Sequence, residues 1–186
     1  MRYKEFNASK VLEDCISLFW KNGYSSCSIK RIVDRTGVNR FSLYNEFENK
    51  DGILDASLDL YKDRYSNKRI DLLSEKGQAR EVLMKFFSSF LQETQNHPPG
   101  CYMIYIASEL ADAQPRINHR LQQYLEQIEK AIEKLLESDP SITESRKFLA
   151  NRLTGLFCNS MCFCVIQSPE ERIAYLDNSF NLIFAN

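Results

Sequence analysis

The chain has 186 residues, of which 44% are hydrophobic and 26% are charged. This composition is ordinary for a globular protein, and it excludes a disordered or collagen-like chain. No stretch approaches the roughly 18 apolar residues that a membrane span requires. The first nine residues, MRYKEFNAS, lack the apolar run of a signal peptide. We therefore expect a cytoplasmic protein with no membrane partner.

The net charge of −1 conceals an asymmetry along the chain. Residues 1–50 contain nine Lys or Arg and six Asp or Glu, a net of +3. Residues 51–186 contain fifteen and nineteen, a net of −4. A basic N-terminal segment followed by an acidic remainder fits a protein whose first fifty residues contact phosphate groups.

Apolar residues recur with a helical period along nearly the whole chain, and only six Gly and five Pro interrupt them. This pattern predicts an all-α fold of about nine helices, with a functional boundary near residue 49. Asn49 is the predicted cap of a long fourth helix that runs towards Ser74. Two capping boxes, Ser141 to Glu144 and Ser168 to Glu171, predict final helices of about 25 and 17 residues.

The most informative stretch runs from Ser28 to Lys50 and reads SIKRIVDRTGVNRFSLYNEFENK. Gly37 permits a sharp turn between two short helices, because glycine reaches positive φ without steric cost. In the second helix, Leu43 and Phe47 lie four residues apart and point into the core. Its opposite face carries Phe41, Ser42 and Asn45, flanked by Arg40 and Tyr44. A helix that enters the major groove of DNA needs such groups.

The segment from about Ser9 to Leu54 resembles the DNA-binding domain of the TetR/AcrR family of regulators. The resemblance implies an N-terminal three-helix domain with a helix-turn-helix at residues 1–48. It also implies a helical effector-binding and dimerisation domain at residues 49–186. A homodimer would bind a palindromic operator in double-stranded DNA, usually as a repressor, and an unidentified small-molecule effector would release it. The matching residues are Leu18, Phe19, Gly23, Tyr24, Ser28, Ile29, Ile32, Val33, Thr36, Gly37, Val38, Leu43, Tyr44, Phe47 and Lys50.

The resemblance implies that five side chains contact the phosphate backbone. Ser28 would cap the first short helix and bond a phosphate, and Lys30 would reach a phosphate or a base edge near the groove wall. Ser42 and Tyr44 would contact phosphates. Lys50 would hold a phosphate together with the free N–H groups at the start of the fourth helix.

Three further residues of the second short helix are implied to read bases, behind the Asn39 cap. Arg40 would pair with guanine or with the backbone, and Asn45 would read adenine or bond the backbone. Phe41 would press on a thymine methyl group. Asn39 stands where the family usually has Ser or Thr, which preserves capping. Phe41 stands where a small residue is common, so its ring either reads DNA by an unusual contact or folds back on the protein.

The last two helices carry apolar stripes that are broad enough to bury on more than one side. In similar proteins the final two helices of each subunit form an intersubunit four-helix bundle, so we expect dimerisation here. The alternative is ordinary packing within one chain. The predicted interface residues are Leu153, Phe157, Met161, Leu176, Phe180 and Ile183.

A ligand pocket would lie among helices four to eight, although an aromatic stripe at helical spacing also fits a packed core. Glu109 is the unusual member of the set, because it follows an apolar run and needs a partner. That partner is either Arg116, as an ion pair, or a cationic effector. The predicted lining residues are Tyr61, Phe86, Phe90, Tyr102, Tyr105, Glu109 and Phe157.

The sequence shows no Gly-rich phosphate loop, zinc-binding His-Glu helix or Gly-x-Ser-x-Gly elbow, so we predict no enzyme activity, catalytic residue, metal or cofactor. Two alternatives stay open. Cys158, Cys162 and Cys164 form a C-x3-C-x-C pattern that would suit a thiol- or metal-responsive regulator, although helical geometry strains a three-thiolate site. The chain would otherwise be a helical protein-interaction module without DNA binding.

Overall fold

The computed structural model describes residues 6–92 and 97–184. Within these ranges the chain forms nine helices and no strand, which confirms the all-α prediction. None of these helices is long and apolar enough to cross a bilayer. The helices are α1 (Ala8–Asn22), α2 (Ile29–Thr36), α3 (Arg40–Phe47), α4 (residues 50–74), α5 (Ala79–Leu91), α6 (Tyr102–Leu110), α7 (Pro115–Ser138), α8 (Arg146–Phe163) and α9 (Pro169–Ile183).

Helix α4 runs without a break from Lys50 to Ser74, as predicted, but its winding changes along its length. A regular α-helix, Lys50–Tyr61, passes into a π-helical turn, Lys62–Ser66, and the helix ends in a 3₁₀ turn, Asp71–Ser74. Helix α1 packs against the first part of α4, and α3 packs against its start. The two predicted halves of the chain therefore meet along one helix.

One of the two predicted capping boxes is present, and the other is not. The capping box at Ser168 is present, with the Glu171 carboxylate accepting the Ser168 N–H at 2.7 Å. The predicted box at Ser141 is wrong, because the Ser141 hydroxyl donates to the Asp139 carboxylate at 2.6 Å. That carboxylate also accepts the Ala79 N–H at 2.7 Å, which ties the α7–α8 loop to the start of α5. Helix α8 consequently begins at Arg146 and has 18 residues.

One continuous hydrophobic core extends from α1 to α9. It contains five of the six residues predicted for the dimer interface, so that prediction requires correction. Both final helices turn their broadest apolar stripes inwards, and a second copy would meet other residues. The buried residues are Leu153, Phe157, Met161, Leu176 and Phe180, while Ile183 is half-buried.

Candidate nucleic-acid interface

The turn between α2 and α3 is built as the sequence predicts. Gly37 adopts a left-handed conformation with φ 70°, and its N–H donates to the Val33 carbonyl at 2.8 Å. The Asn39 side chain accepts the Ser42 N–H at 2.9 Å and so caps α3. Ile32 and Leu43 are fully buried, one from each helix. These contacts hold α3 in one orientation on the body of the domain.

The outer face of α3 is a polar and aromatic surface. The Phe41 ring is 64% exposed, although a large apolar side chain usually avoids water. Arg40 and Asn45 are exposed, whereas Ser42 and Tyr44 are half-buried. The Arg40 guanidinium lies 5.0 Å from the centre of the Tyr44 ring, which keeps both groups on this surface. All five predicted side chains of α3 therefore share one accessible face.

Helix α2 adds two of the predicted contact residues at its N-terminal end. Ser28 and Lys30 are both exposed, and the Ser28 hydroxyl accepts the Arg31 N–H at 3.3 Å. The Arg31 guanidinium donates to the Asn22 side chain, and Arg35 forms an ion pair with an aspartate of α1 at 3.0 Å. These two arginines therefore brace α2 against α1.

Lys50 lies closer to the protein than its predicted phosphate contact implies. Its ammonium donates to the Tyr24 carbonyl at 2.7 Å and lies 4.0 Å from the centre of the Tyr24 ring. Burial lowers the pKa of this ammonium, while the nearby Glu109 and Asp51 oppose that shift. An ammonium has three N–H donors, so the contact with Tyr24 leaves two for a phosphate.

Glu109 is exposed, and it connects α6 to the segment between α1 and α2. Its carboxylate accepts the backbone N–H of Tyr24 at 2.8 Å and that of Ser25 at 2.7 Å. We call this pair of hydrogen bonds the α6 latch. Burial alone would raise the pKa of Glu109, but these hydrogen bonds outweigh it and hold the pKa below its ordinary value.

Arg116 is not the partner of Glu109, which corrects the predicted ion pair. It forms ion pairs with Asp51 and Asp55 on α4 instead. Asp51 also accepts the Tyr24 hydroxyl at 2.7 Å, and that hydrogen bond holds its pKa below the ordinary value. Helix α7 is thus connected to the start of α4, next to the segment between α1 and α2 that holds Tyr24.

Gly52 is a structural residue that the sequence reasoning missed. An added Cβ would lie 1.8 Å from the Phe47 carbonyl oxygen, the last residue of α3. Between the two helices Glu48 takes a positive φ of 67°, and the Asn49 N–H donates to the Phe47 carbonyl at 2.7 Å. A glycine in the first turn of a predicted helix was the available signal.

Most of the residues predicted to line an effector pocket pack against one another in two aromatic clusters. The rings of Phe86, Phe90 and Phe157 pack on one another with centroids 5.0 to 5.4 Å apart. Tyr61 and Tyr102 are buried in a second aromatic cluster, at 5.4 Å from each other. Tyr105, another of the seven predicted residues, lines a cavity of about 220 Å³.

Cys158 and Cys162 lie on α8, and Cys164 follows its last residue. Burial raises the pKa of both Cys158 and Cys164 to about 11, so both are thiols at neutral pH. Cys162 is exposed. Across residues 6–92 and 97–184, no three His, Cys, Asp or Glu side chains are placed to hold a metal ion together.

Comparison with known proteins agrees with this geometry. The sequence model described as bacterial regulatory proteins, tetR family, matches residues 11–57, which contain most of α1, all of α2 and α3, and the start of α4. The HTH-type transcriptional repressor ComR of Escherichia coli (strain K12) is 34% identical over 106 residues. That alignment covers 55% of this chain and 50% of ComR. The chain thus matches about half the length of that relative.

A second relative is the uncharacterized HTH-type transcriptional regulator YezE of Bacillus subtilis (strain 168). It is 24% identical over 132 residues, covering 70% of this chain and 68% of YezE.

Solved structures share the fold over nearly the whole chain. A cysteine mutant of the TetR family regulator CifR, complexed with 26 bp double-strand operator DNA, superposes with a TM-score of 0.83 and 17% identity. The match covers 97% of this chain and 98% of CifR. SCO4454 from Streptomyces coelicolor has a TM-score of 0.81 and 18% identity, with 95% and 88% covered. Residues 11–57 are therefore similar to the tetR family of bacterial regulatory proteins, and the chain as a whole shares the fold of solved TetR family structures.

Proposed function

We propose that this protein is a transcriptional regulator that binds a palindromic operator in double-stranded DNA as a homodimer. The proposal rests on the accessible face of α3. Leu43 packs the opposite side of this helix into the core. The accessible side chains are Arg40, Phe41, Tyr44 and Asn45. A rigid helix with such groups suits direct contact with base edges and phosphates. ComR is a repressor by its name, which supports repression here.

The homodimer finds support in the outer side of the last two helices. Phe148 on α8 is 60% exposed and Leu182 on α9 is 81% exposed. The α9 residue Tyr175 accepts a hydrogen bond from Asn159 of α8 at 2.6 Å, so the two helices run side by side. We propose that a second copy covers this face, which we call the α8–α9 face. Two-fold symmetry would then double the contacts with a palindromic operator.

The proposed function can be tested with the purified protein and genomic DNA. Fragments that the protein retains would be sequenced, and affinity for the recovered site would be measured over a range of salt concentrations. We expect log affinity to fall linearly with log salt, because bound phosphates release counterions. The alternative, a helical protein-interaction module, would retain no defined fragment. Failure to retain any fragment, or an affinity indifferent to salt, would overturn the proposal.

Tyr44→Phe should weaken binding to every operator sequence by a similar factor. The variant keeps the half-buried ring and its contact with Arg40 and removes only the hydroxyl that would bond a phosphate. A hydrogen bond to a charged group contributes about 1.5–3 kcal/mol, which corresponds to a loss of at least about tenfold per half-site. Tyr105→Phe on α6 is the matched control. Affinity equal to that of the parent protein would remove Tyr44 from the DNA contacts.

Phe41→Ala should change sequence preference more than general affinity. The ring is exposed, so its removal costs little folding stability, and a thymine methyl contact carries sequence information. Selection of binding sites from a randomised pool, with the variant and the parent protein in parallel, measures this change. We expect preference to relax at one position of each half-site. A uniform loss of affinity with unchanged preference would exclude direct readout by the ring.

A further inference from the structure

The outward side of α3 divides into a central row and a flank. Leu43 and Phe47 mark the buried side of this helix. Successive side chains are about 100° apart, so Phe41 and Asn45 point away from that buried side. Both are exposed, and we call this pair the central row. In a helix that enters a groove, the side chains furthest from the core are the ones that reach the base edges.

Arg40 and Tyr44 form the flank, closer to the buried side of α3. Tyr44 is half-buried, and the Arg40 guanidinium lies 5.0 Å from the centre of its ring. This contact draws the guanidinium along the flank and away from the central row. The flank of a helix in a groove faces the phosphates of the groove wall, which fix the position of the protein without reading sequence. Arg40 and Tyr44 are therefore placed to hold phosphate together.

The chemistry of the central row selects among the base pairs. The Phe41 ring has no hydrogen-bonding group, so the group that suits it on a major-groove edge is the methyl of thymine. The Asn45 amide has a donor and an acceptor side by side, which match N7 and N6 of adenine. Guanine needs two donors, from arginine or lysine, and the central row has neither.

The spacing of the central row limits the length of DNA that it can read. Phe41 and Asn45 are four residues apart, which is about 6 Å along the axis of α3. Base pairs in the duplex are about 3.4 Å apart. The two side chains therefore span at most two base-pair steps, and their contacts fall in a stretch of no more than three base pairs.

We infer that the central row recognises only A·T base pairs, within such a stretch of each half-site, and that Arg40 holds phosphate and reads no guanine. Phe41 packs on a thymine methyl group, and Asn45 bonds N6 and N7 of an adenine. This inference rests on the proposed function and adds the base pairs that the operator would present to α3.

Uracil tests the Phe41 contact, because it differs from thymine only in lacking the methyl group. In the operator recovered from genomic DNA, thymines are replaced one at a time, in both half-sites together. We expect one position at which the parent protein loses about fourfold in affinity per half-site, the effect of one buried methyl-sized group. Phe41→Ala should lose nothing further there, and the other thymines serve as controls. A loss at no thymine, or a loss that persists in Phe41→Ala, would overturn the contact.

7-Deazaadenine, which lacks the N7 acceptor, tests Asn45 in the same way. The parent protein should lose about 2- to 10-fold in affinity per half-site at one adenine, the effect of one hydrogen bond. Asn45→Ala should be indifferent to this exchange. Both variants alter exposed side chains, so the fold should survive. An equal loss in Asn45→Ala, or an affected adenine more than two steps from the affected thymine, would overturn the central row as the reader.

Arg40→Ala tests the assignment of the flank to phosphate. We expect affinity for every operator sequence to fall by a similar factor, and the slope of log affinity against log salt to decrease by about one per half-site. Replacing any guanine with 7-deazaguanine should then affect the parent protein and the variant equally. A guanine whose exchange weakens binding by the parent protein alone would show that Arg40 reads it, and the inference would fail.

The outcomes separate this inference from the proposed function. A protein that retains no DNA fragment would contradict both. A protein that retains a defined operator but is indifferent to the uracil and 7-deazaadenine exchanges would keep the proposed function and overturn the A·T readout alone.

Discussion

Gly52→Ala is expected to destabilise the protein by about 3 kcal/mol or more and to abolish operator binding. The new methyl carbon would stand 1.8 Å from the Phe47 carbonyl oxygen, and no side-chain rotation can separate a Cβ from a backbone oxygen. Relief requires α3 to shift away from α4, which would displace the face that carries Arg40 and Tyr44. Denaturant unfolding measures the loss of stability, and titration with operator measures the loss of binding.

The matched control is Gly155→Ala on α8. Nothing lies within 4 Å of a Cβ added at Gly155, so this methyl group should leave stability unchanged or raise it by up to about 1 kcal/mol through helix propensity. Because Gly155 lies near the face proposed for the second copy, both variants are compared at two protein concentrations, which separates folding from dimerisation. If the two substitutions changed stability equally, the close approach of α3 and α4 would not explain the effect.

The helix-turn-helix was predictable because its signals are local. Asn39 caps α3 through an atom only three residues away, and Gly37 takes a positive φ that few other residues adopt. The spacing of Leu43 and Phe47 then determines which side of α3 is buried. Each of these features depends on neighbours in sequence, so the exposed face of α3 could be derived without knowledge of the rest of the fold.

The effector and dimer residues could not be derived in the same way. Periodicity shows that Phe157 and Leu176 lie on apolar stripes, but it does not show whether their own chain or a second copy covers them. Both stripes face the interior, and Phe86 and Phe90 close over Phe157 from α5. Which stripe is exposed depends on how α5, α8 and α9 cross, and crossing angles depend on tertiary packing.

Contacts between distant segments explain the remaining errors. Glu109 bonds residues 84 and 85 positions earlier in the chain, and Asp139 bonds the Ala79 N–H 60 positions earlier. No local rule links such pairs. The second contact also engages Ser141 through Asp139, which is why a plausible capping box does not start a helix. Hydrogen bonds that form only in the folded chain override the local helix-capping signal here.

Replacing both Phe148 and Leu182 with arginine is expected to give monomers and to weaken operator binding by about 10²- to 10⁴-fold. In a two-fold symmetric interface each substitution appears twice, so the dimer would have to bury four unpaired guanidinium groups. Both side chains are largely exposed in the single chain, so the fold should survive. A monomer holds one half-site and loses the gain in affinity that linked binding provides. Light scattering and operator titration measure the two effects.

Ile173→Arg provides the control on the same helix. Ile173 is also an exposed apolar residue, at 44%, but it lies nine positions from Leu182 and hence on the opposite side of α9. The control should remain a dimer and bind operator like the parent protein, because its new charge stays in water. If the double variant kept the mass of two chains, the α8–α9 face would not be the interface. If the control also became monomeric, loss of the dimer could not be assigned to the α8–α9 face, and the proposed interface would fail.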